Sequence, residues 1–130
     1  MGGESFEYTL EHRGSNSSGS FNLTIHFTRT GKYGIITTEG YITTANQKAV
    51  IASSITDTAV VNECKRIVGR IDNSTLILGG SSTIVSDKLV INYVKFNPYN
   101  NNSQIGLWIV GTITATANFG VVYNTPYTIK

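Results

Sequence analysis

Flat aromatic rings and side-chain amides are the groups with which a protein grips an uncharged polar ligand, and one stretch concentrates them: FNPYNNNSQIGLW, residues 96–108. Phe96, Tyr99 and Trp108 offer faces on which a sugar ring or an apolar edge can rest, while Asn100, Asn101 and Asn102 fan out donors and acceptors. No residue of the segment is formally charged. Its irregular part runs to about seven residues, longer than the two to five of most hairpin connections, which is a reason to read it as a binding loop. These six residues form the candidate ligand-binding set. The competing reading uses the asparagines for turn geometry and packs Trp108 against a neighbouring subunit or strand.

Groups that could do covalent or acid–base chemistry are scattered. Glu7 and Glu11 share a strand face, but four residues at about 3.4 Å each hold them roughly 13 Å apart, too far for paired carboxylates. Glu39 and Asp87 have nothing in their local sequence to recommend them as a pair. Cys64 as a nucleophile needs His12 or His26 as its base, yet it recurs with Val60 and Ile67 at helical spacing, where a thiol behaves as a small buried hydrophobe. One cysteine and two histidines lack zinc-ligand spacing, and no calcium loop occurs. GGSSTIV has no closing glycine for a nucleophile elbow, and TGKYG lacks the rest of a phosphate loop. Neither a catalytic constellation, a metal site nor a cofactor is expected.

Charge and composition narrow the partners. Only 14% of the 130 residues are charged, whereas Thr, Ser and Asn supply 41 positions, so the polar surface is largely neutral. Such a surface suits neutral polar partners such as glycans, or other protein surfaces. The net charge is +2 and the basic residues are dispersed, the tightest group being Lys65, Arg66 and Arg70. A nucleic-acid binder concentrates its cations, so that class is set aside. No run of 18 apolar residues marks a membrane span. The start, MGGESFEYTL, has no secretory n-region and h-region, and Phe6 breaks the myristoylation pattern. Four N-x-[ST] triplets, at Asn16, Asn22, Asn73 and Asn101, match what so much Ser, Thr and Asn gives by chance. The compartment stays open, with a virion-associated or extracellular setting the expectation.

Strands are the elements that must position these groups. FNLTIHF alternates strictly, with Phe21, Leu23, Ile25 and Phe27 on one face; FEYTLEH does the same with Phe6, Tyr8 and Leu10, and HRGSNSSGS reads as the turn-rich link of a hairpin. LWIVGTITATANF reads as one long alternating strand with Trp108 on its polar face. KLVINYVKF is apolar on both faces at its centre. YGIITTEGYITT, STLIL and VVYNTPYTI complete the set, the last pushed toward an edge by Pro126. Turn signals stand at TGKYG, IDNS, LGGSS and VSDK. In DTAVVNECKRIVG the spacing of Val60, Cys64, Ile67 and Val68, with Asp57 as N-cap and Gly69 past the end, predicts a short helix near 57–68.

The expected fold is mainly β: a single domain over residues 1–130, an antiparallel β-sandwich or β-barrel of seven or eight strands with that one helix. In composition the chain resembles lectins and the receptor-binding heads or auxiliary structural proteins of viruses and phages. That resemblance implies a non-enzymatic recognition or assembly module that binds a glycan or cell-surface receptor and forms a homo-oligomer. Apolar residues on both faces of KLVINYVKF and LWIV place Trp108 and Val110 at the subunit contact. The alternative is a lipocalin-like barrel carrying an apolar small molecule, with Phe21, Phe27, Tyr93 and Trp108 lining one void.

Overall fold

The computed structural model describes residues 4–44, 48–68, 76–81, 89–97, 103–113 and 117–130. Among these residues the chain forms β1 (Ser5–Asn16), β2 (Gly19–Thr30), β3 (Tyr33–Thr44), β4 (Lys48–Ile55), α1 (Thr58–Lys65), β5 (Leu76–Ser81), β6 (Leu89–Asn97), β7 (Ile105–Ile113) and β8 (Ala117–Thr128). Two four-stranded antiparallel sheets result, ordered β1-β2-β3-β8 and β4-β7-β6-β5, and they pack face to face as a sandwich. The strands do not close into a barrel, so the void that a carrier would need is replaced by packed side chains.

Period-two alternation builds this core. Phe21, Leu23, Ile25 and Phe27 of β2 are all buried, as their spacing predicts, and face Ile51, Ile55, Val94, Phe96, Ile105 and Leu107 of the second sheet. Phe6, Tyr8 and Leu10 of β1 pack against this cluster from one side. At full burial each such side chain contributes about 1.5–3 kcal/mol. The rings of Phe27 and Phe96 stack in parallel across the sandwich with centroids 6.4 Å apart, and Tyr127 meets Phe27 edge-on at 6.0 Å. Inter-sheet contacts also clasp both flanks. On one, His12 of β1 and Ser53 of β4 share a hydrogen bond at 2.8 Å. On the other, Thr125 of β8 donates to the Leu78 carbonyl of β5, and the Tyr123 ring lies over Gly79, where a Cβ atom would strike it.

Helix α1 forms where its caps and apolar stripe coincide. Asp57 accepts from the Val60 N–H at 3.2 Å, Lys65 occupies the last turn, and Val60, Val61, Glu63 and Cys64 are buried. Tyr8 donates to the second Asp57 oxygen at 2.7 Å, which ties the cap to β1. Gly69 lies outside the described residues.

Three readings of the sequence are corrected, and one strand is added to them. LWIVGTITATANF is two strands: β7 ends at Ile113 and β8 begins at Ala117 in the other sheet. Continuous alternation cannot reveal such a change of sheet, because both halves bury one face. HRGSNSSGS is mostly strand, since the β1–β2 ladder runs to the Asn16–Gly19 pair and leaves a turn at Ser17 and Ser18, braced by the Ser18 N–H donating to Asn16 at 2.8 Å. LGGSS lies largely within β5, whose irregular pairing with β6 absorbs the glycines. KAVIASSI, β4, had no turn signal to announce it. The IDNS and VSDK signals fall outside the described residues.

Candidate functional site

The sequence-selected residues do not form one site. Phe96 is fully buried, because the register that pairs Lys95 with Trp108 also pairs Phe96 with Leu107 on the core face of the sheet. It has no surface to offer a ligand and acts as a core residue. Tyr99, Asn100, Asn101 and Asn102 lie outside the described residues. Trp108 is half-buried on the outer face of the second sheet, in a row of Ala52, Trp108, Lys95 and Ile77 on four neighbouring strands. The Lys95 ammonium sits 5.3 Å from the Trp108 ring centroid. A cation over the ring gains from its quadrupole and covers one face of it. Phe96 and Trp108 thus end on opposite faces of one sheet.

A second aromatic, which sequence reading placed only as part of a strand, is better presented. Tyr41 of β3 projects from the outer face of the first sheet and is 64% exposed, as is Val122 of β8 at 66%. Tyr41 lies opposite Gly120, and Glu39 opposite both Val122 and Thr24 on the flanking strands. Thr24, Glu39, Gly40, Tyr41 and Gly120 to Val122 line an open groove of about 380 Å³. Gly40 and Gly120 leave backbone as its floor. Gly40 holds φ at +147°, and a Cβ there would stand 2.1 Å from the Asn22 carbonyl oxygen, so the close approach of β3 to β2 requires glycine. A ring, a carboxylate, a hydroxyl and glycine backbone can together stack on and hydrogen-bond a polar ring. The legible signal was parity: Ile36 and Ile42 face the core, which turns Tyr41 outward.

Groups with reactive potential are otherwise engaged. Cys64 is buried, and burial pushes its thiol far above the ordinary range, which disfavours the thiolate that a nucleophile needs. Burial also lowers the pKa of His12 below 6.5. His26 shares a hydrogen bond with Thr9 at 2.6 Å and stands 3.6 Å from Glu7. Neither histidine is bonded to Cys64. Among the described residues no cluster of His, Cys, Asp or Glu could hold a metal, and no helix is long and apolar enough to cross a membrane.

One ionic cluster runs from the interior to the surface. Arg29 of β2 donates to both carboxylate oxygens of Glu63 and to the Gly31 carbonyl, and its guanidinium lies 5.7 Å from the Phe6 ring centroid. Tyr127 donates to Glu63 at 2.6 Å, while Glu4 bridges Arg29 and Arg66 at the surface. Hydrogen bonding to Glu63 raises the Arg29 pKa. Every charge is matched, so the cluster fastens α1 to the first sheet. No protein-family model, curated protein or solved structure matches the chain.

Proposed function

We propose that the protein is a non-enzymatic recognition and assembly module that binds a neutral polar ligand, of glycan type, in the groove beside Tyr41 and associates with other copies of itself. One observation carries the ligand half: an exposed Tyr41 ring set beside the bare backbone of Gly40 and Gly120, with Glu39 and Thr24 within the same groove. A pyranose ring stacks its C–H face on an aromatic, and its hydroxyls reach a carboxylate and backbone groups. Low charge favours such partners over phosphate-bearing ones. The self-association half is supported by apolar side chains left in water on both outer faces, among them Tyr33, Ile35 and Ile77.

A glycan array with wild type and Tyr41→Ala tests the ligand half. The expected result is binding by wild type to a defined set of neutral glycans that Tyr41→Ala weakens by at least about tenfold, as loss of an aromatic anchor does. Binding unchanged in Tyr41→Ala moves the site elsewhere, and no glycan bound at all sinks the ligand reading.

A further inference from the structure

We infer that the protein pairs with a second copy of itself along the open edge of β1, across a twofold axis, merging two four-stranded sheets into one continuous antiparallel sheet. This rests on the self-association half of the reading above and places the contact on a sheet edge rather than on the apolar outer faces.

Two of the four sheet edges are blunted, and a third is shorter than β1. In β8 the Ile129 N–H donates inward to the Lys32 carbonyl. By alternation Pro126 therefore turns the side that lacks an N–H to the open edge, which is where proline is found in sheets. The end of β8 is further covered by Val68 N–H donating to the Thr128 carbonyl and Lys130 N–H to that of Arg66. Two register shifts interrupt the six residues of β5, and bulges discourage edge pairing. β4 has only eight residues. By contrast β1 runs for twelve residues, contains no proline, and pairs with β2 without a register shift. An edge of that kind is a template for another strand.

The direction and register of pairing follow from the backbone. Gly31 N–H donates to the Glu4 carbonyl at 2.7 Å, so even-numbered residues of β1 turn their backbone groups to β2. Ser5, Glu7, Thr9, Glu11 and Arg13 then turn theirs outward, and among the described residues no other strand takes them up. A new antiparallel ladder must hydrogen-bond odd residues with odd residues. Centred on Thr9, it sets Glu7 against Glu11 twice. Centred on Glu11, it places that carboxylate against its own copy. Centred on Leu10, between those two, it sets Glu7 against Arg13 twice and Glu11 against Thr9. Opposite residues have Cβ atoms about 4.5–5.5 Å apart, close enough for both ion pairs. A centre at His12 also matches Glu11 with Arg13, but it carries Glu7 past the end of the strand.

Packing points to the same edge. Phe6, Tyr8 and Leu10, the core-facing side chains of β1, are only partly buried, whereas their counterparts in β2 are closed off. The Leu10-centred register lays Leu10 against Leu10 of the second copy. A net charge of +2 offers little long-range repulsion.

Sedimentation velocity across a concentration series tests the pairing. Wild type is expected as a dimer of twice 14.1 kDa. Thr9→Pro removes an outward N–H, and Arg13→Glu places like charges opposite each other; each should raise the dimer dissociation constant at least about tenfold. The double swap Glu7→Arg with Arg13→Glu should restore the dimer. That rescue keeps the test sound if Thr9→Pro impairs folding. A dimer that survives both single variants but is lost in Trp108→Ser places the contact on the other sheet and overturns the β1 pairing while leaving self-association intact. Failure of the double swap to recover the dimer overturns the Leu10 register. A wild type that stays at 14.1 kDa throughout overturns self-association itself.

Discussion

Arg29 and Glu63 meet as a two-point ion pair between β2 and α1: Nε donates to Oε2 at 2.6 Å and Nη2 to Oε1 at 3.1 Å, with the two side chains 1% and 2% exposed. A guanidinium matches a carboxylate in this fork geometry, and Tyr127 fills a further acceptor site. Desolvating both charges costs as much as their attraction returns, so the pair is weak evidence for stability but a strong constraint on where the helix sits.

Breaking the pair from one side is therefore expected to be costly. Glu63→Ala strands a buried guanidinium and should lower the unfolding free energy by about 3–5 kcal/mol in a urea titration. Glu4→Ala, which removes only the solvent-exposed end of the cluster, should lower the urea midpoint far less. Equal effects of the two variants would show that the buried pair holds nothing that the surface pair does not.

The stacked rings of Phe27 and Phe96 join the two sheets at the centre of the core, and both are 0% exposed. Phe27→Ala should destabilise by about 3–5 kcal/mol, through lost transfer energy and the cavity left behind. Phe27→Leu should recover part of that loss. Chemical denaturation of both variants measures the difference.

Thr38 is fully buried in β3, and among the described residues its hydroxyl has no hydrogen-bond partner. An unmet buried hydroxyl costs about 1–3 kcal/mol, and valine has the same shape without it. Thr38→Val should consequently raise the melting temperature. A fall would mean that the hydroxyl is satisfied in solution.

Stability should decline on acidification in two stages. His12 has its folded-state pKa depressed below 6.5 by burial. As pH falls through 6.5 the unfolded chain takes up a proton that the folded chain resists, so stability drops until the folded value is reached and then levels. Glu4 has its carboxyl held below 4.5, first by hydrogen bonding to Arg66. Its contribution is complete above 4.5 and is lost as pH falls through the lowered folded value. His12→Gln should flatten the first stage and Glu4→Gln the second, read from melting temperatures across the acid range.

Local pattern made much of this protein legible. Alternation in FNLTIHF and FEYTLEH identified the β1–β2 hairpin and the core face of β2, because a strand with one dry side must repeat every second residue. The same parity extends to Arg29, the next core-facing position after Phe27. Asp57, the apolar stripe and Lys65 announced α1 because a helix needs its end groups satisfied locally. Pro126 marked β8 as an edge because the residue has no N–H to give.

What the tertiary structure alone decided are relations between distant residues. Whether Trp108 and Phe96 share a site depends on the β6–β7 register, which sends them to opposite faces; alternation puts Trp108 on the polar face of its strand, but KLVINYVKF is apolar on both faces and does not say which way Phe96 turns. The switch of the chain from one sheet to the other between β7 and β8 leaves no local trace, since side-chain alternation is blind to which sheet a strand joins. Arg29 finds Glu63 and Tyr127 only through folding, and Tyr41 gains its groove only because Thr24 of β2 and Gly120 and Val122 of β8 arrive on the adjacent strands. Period and capping act over a few residues and are written in the chain, whereas register and sheet membership are settled by which long-range pairings bury the most apolar surface at once.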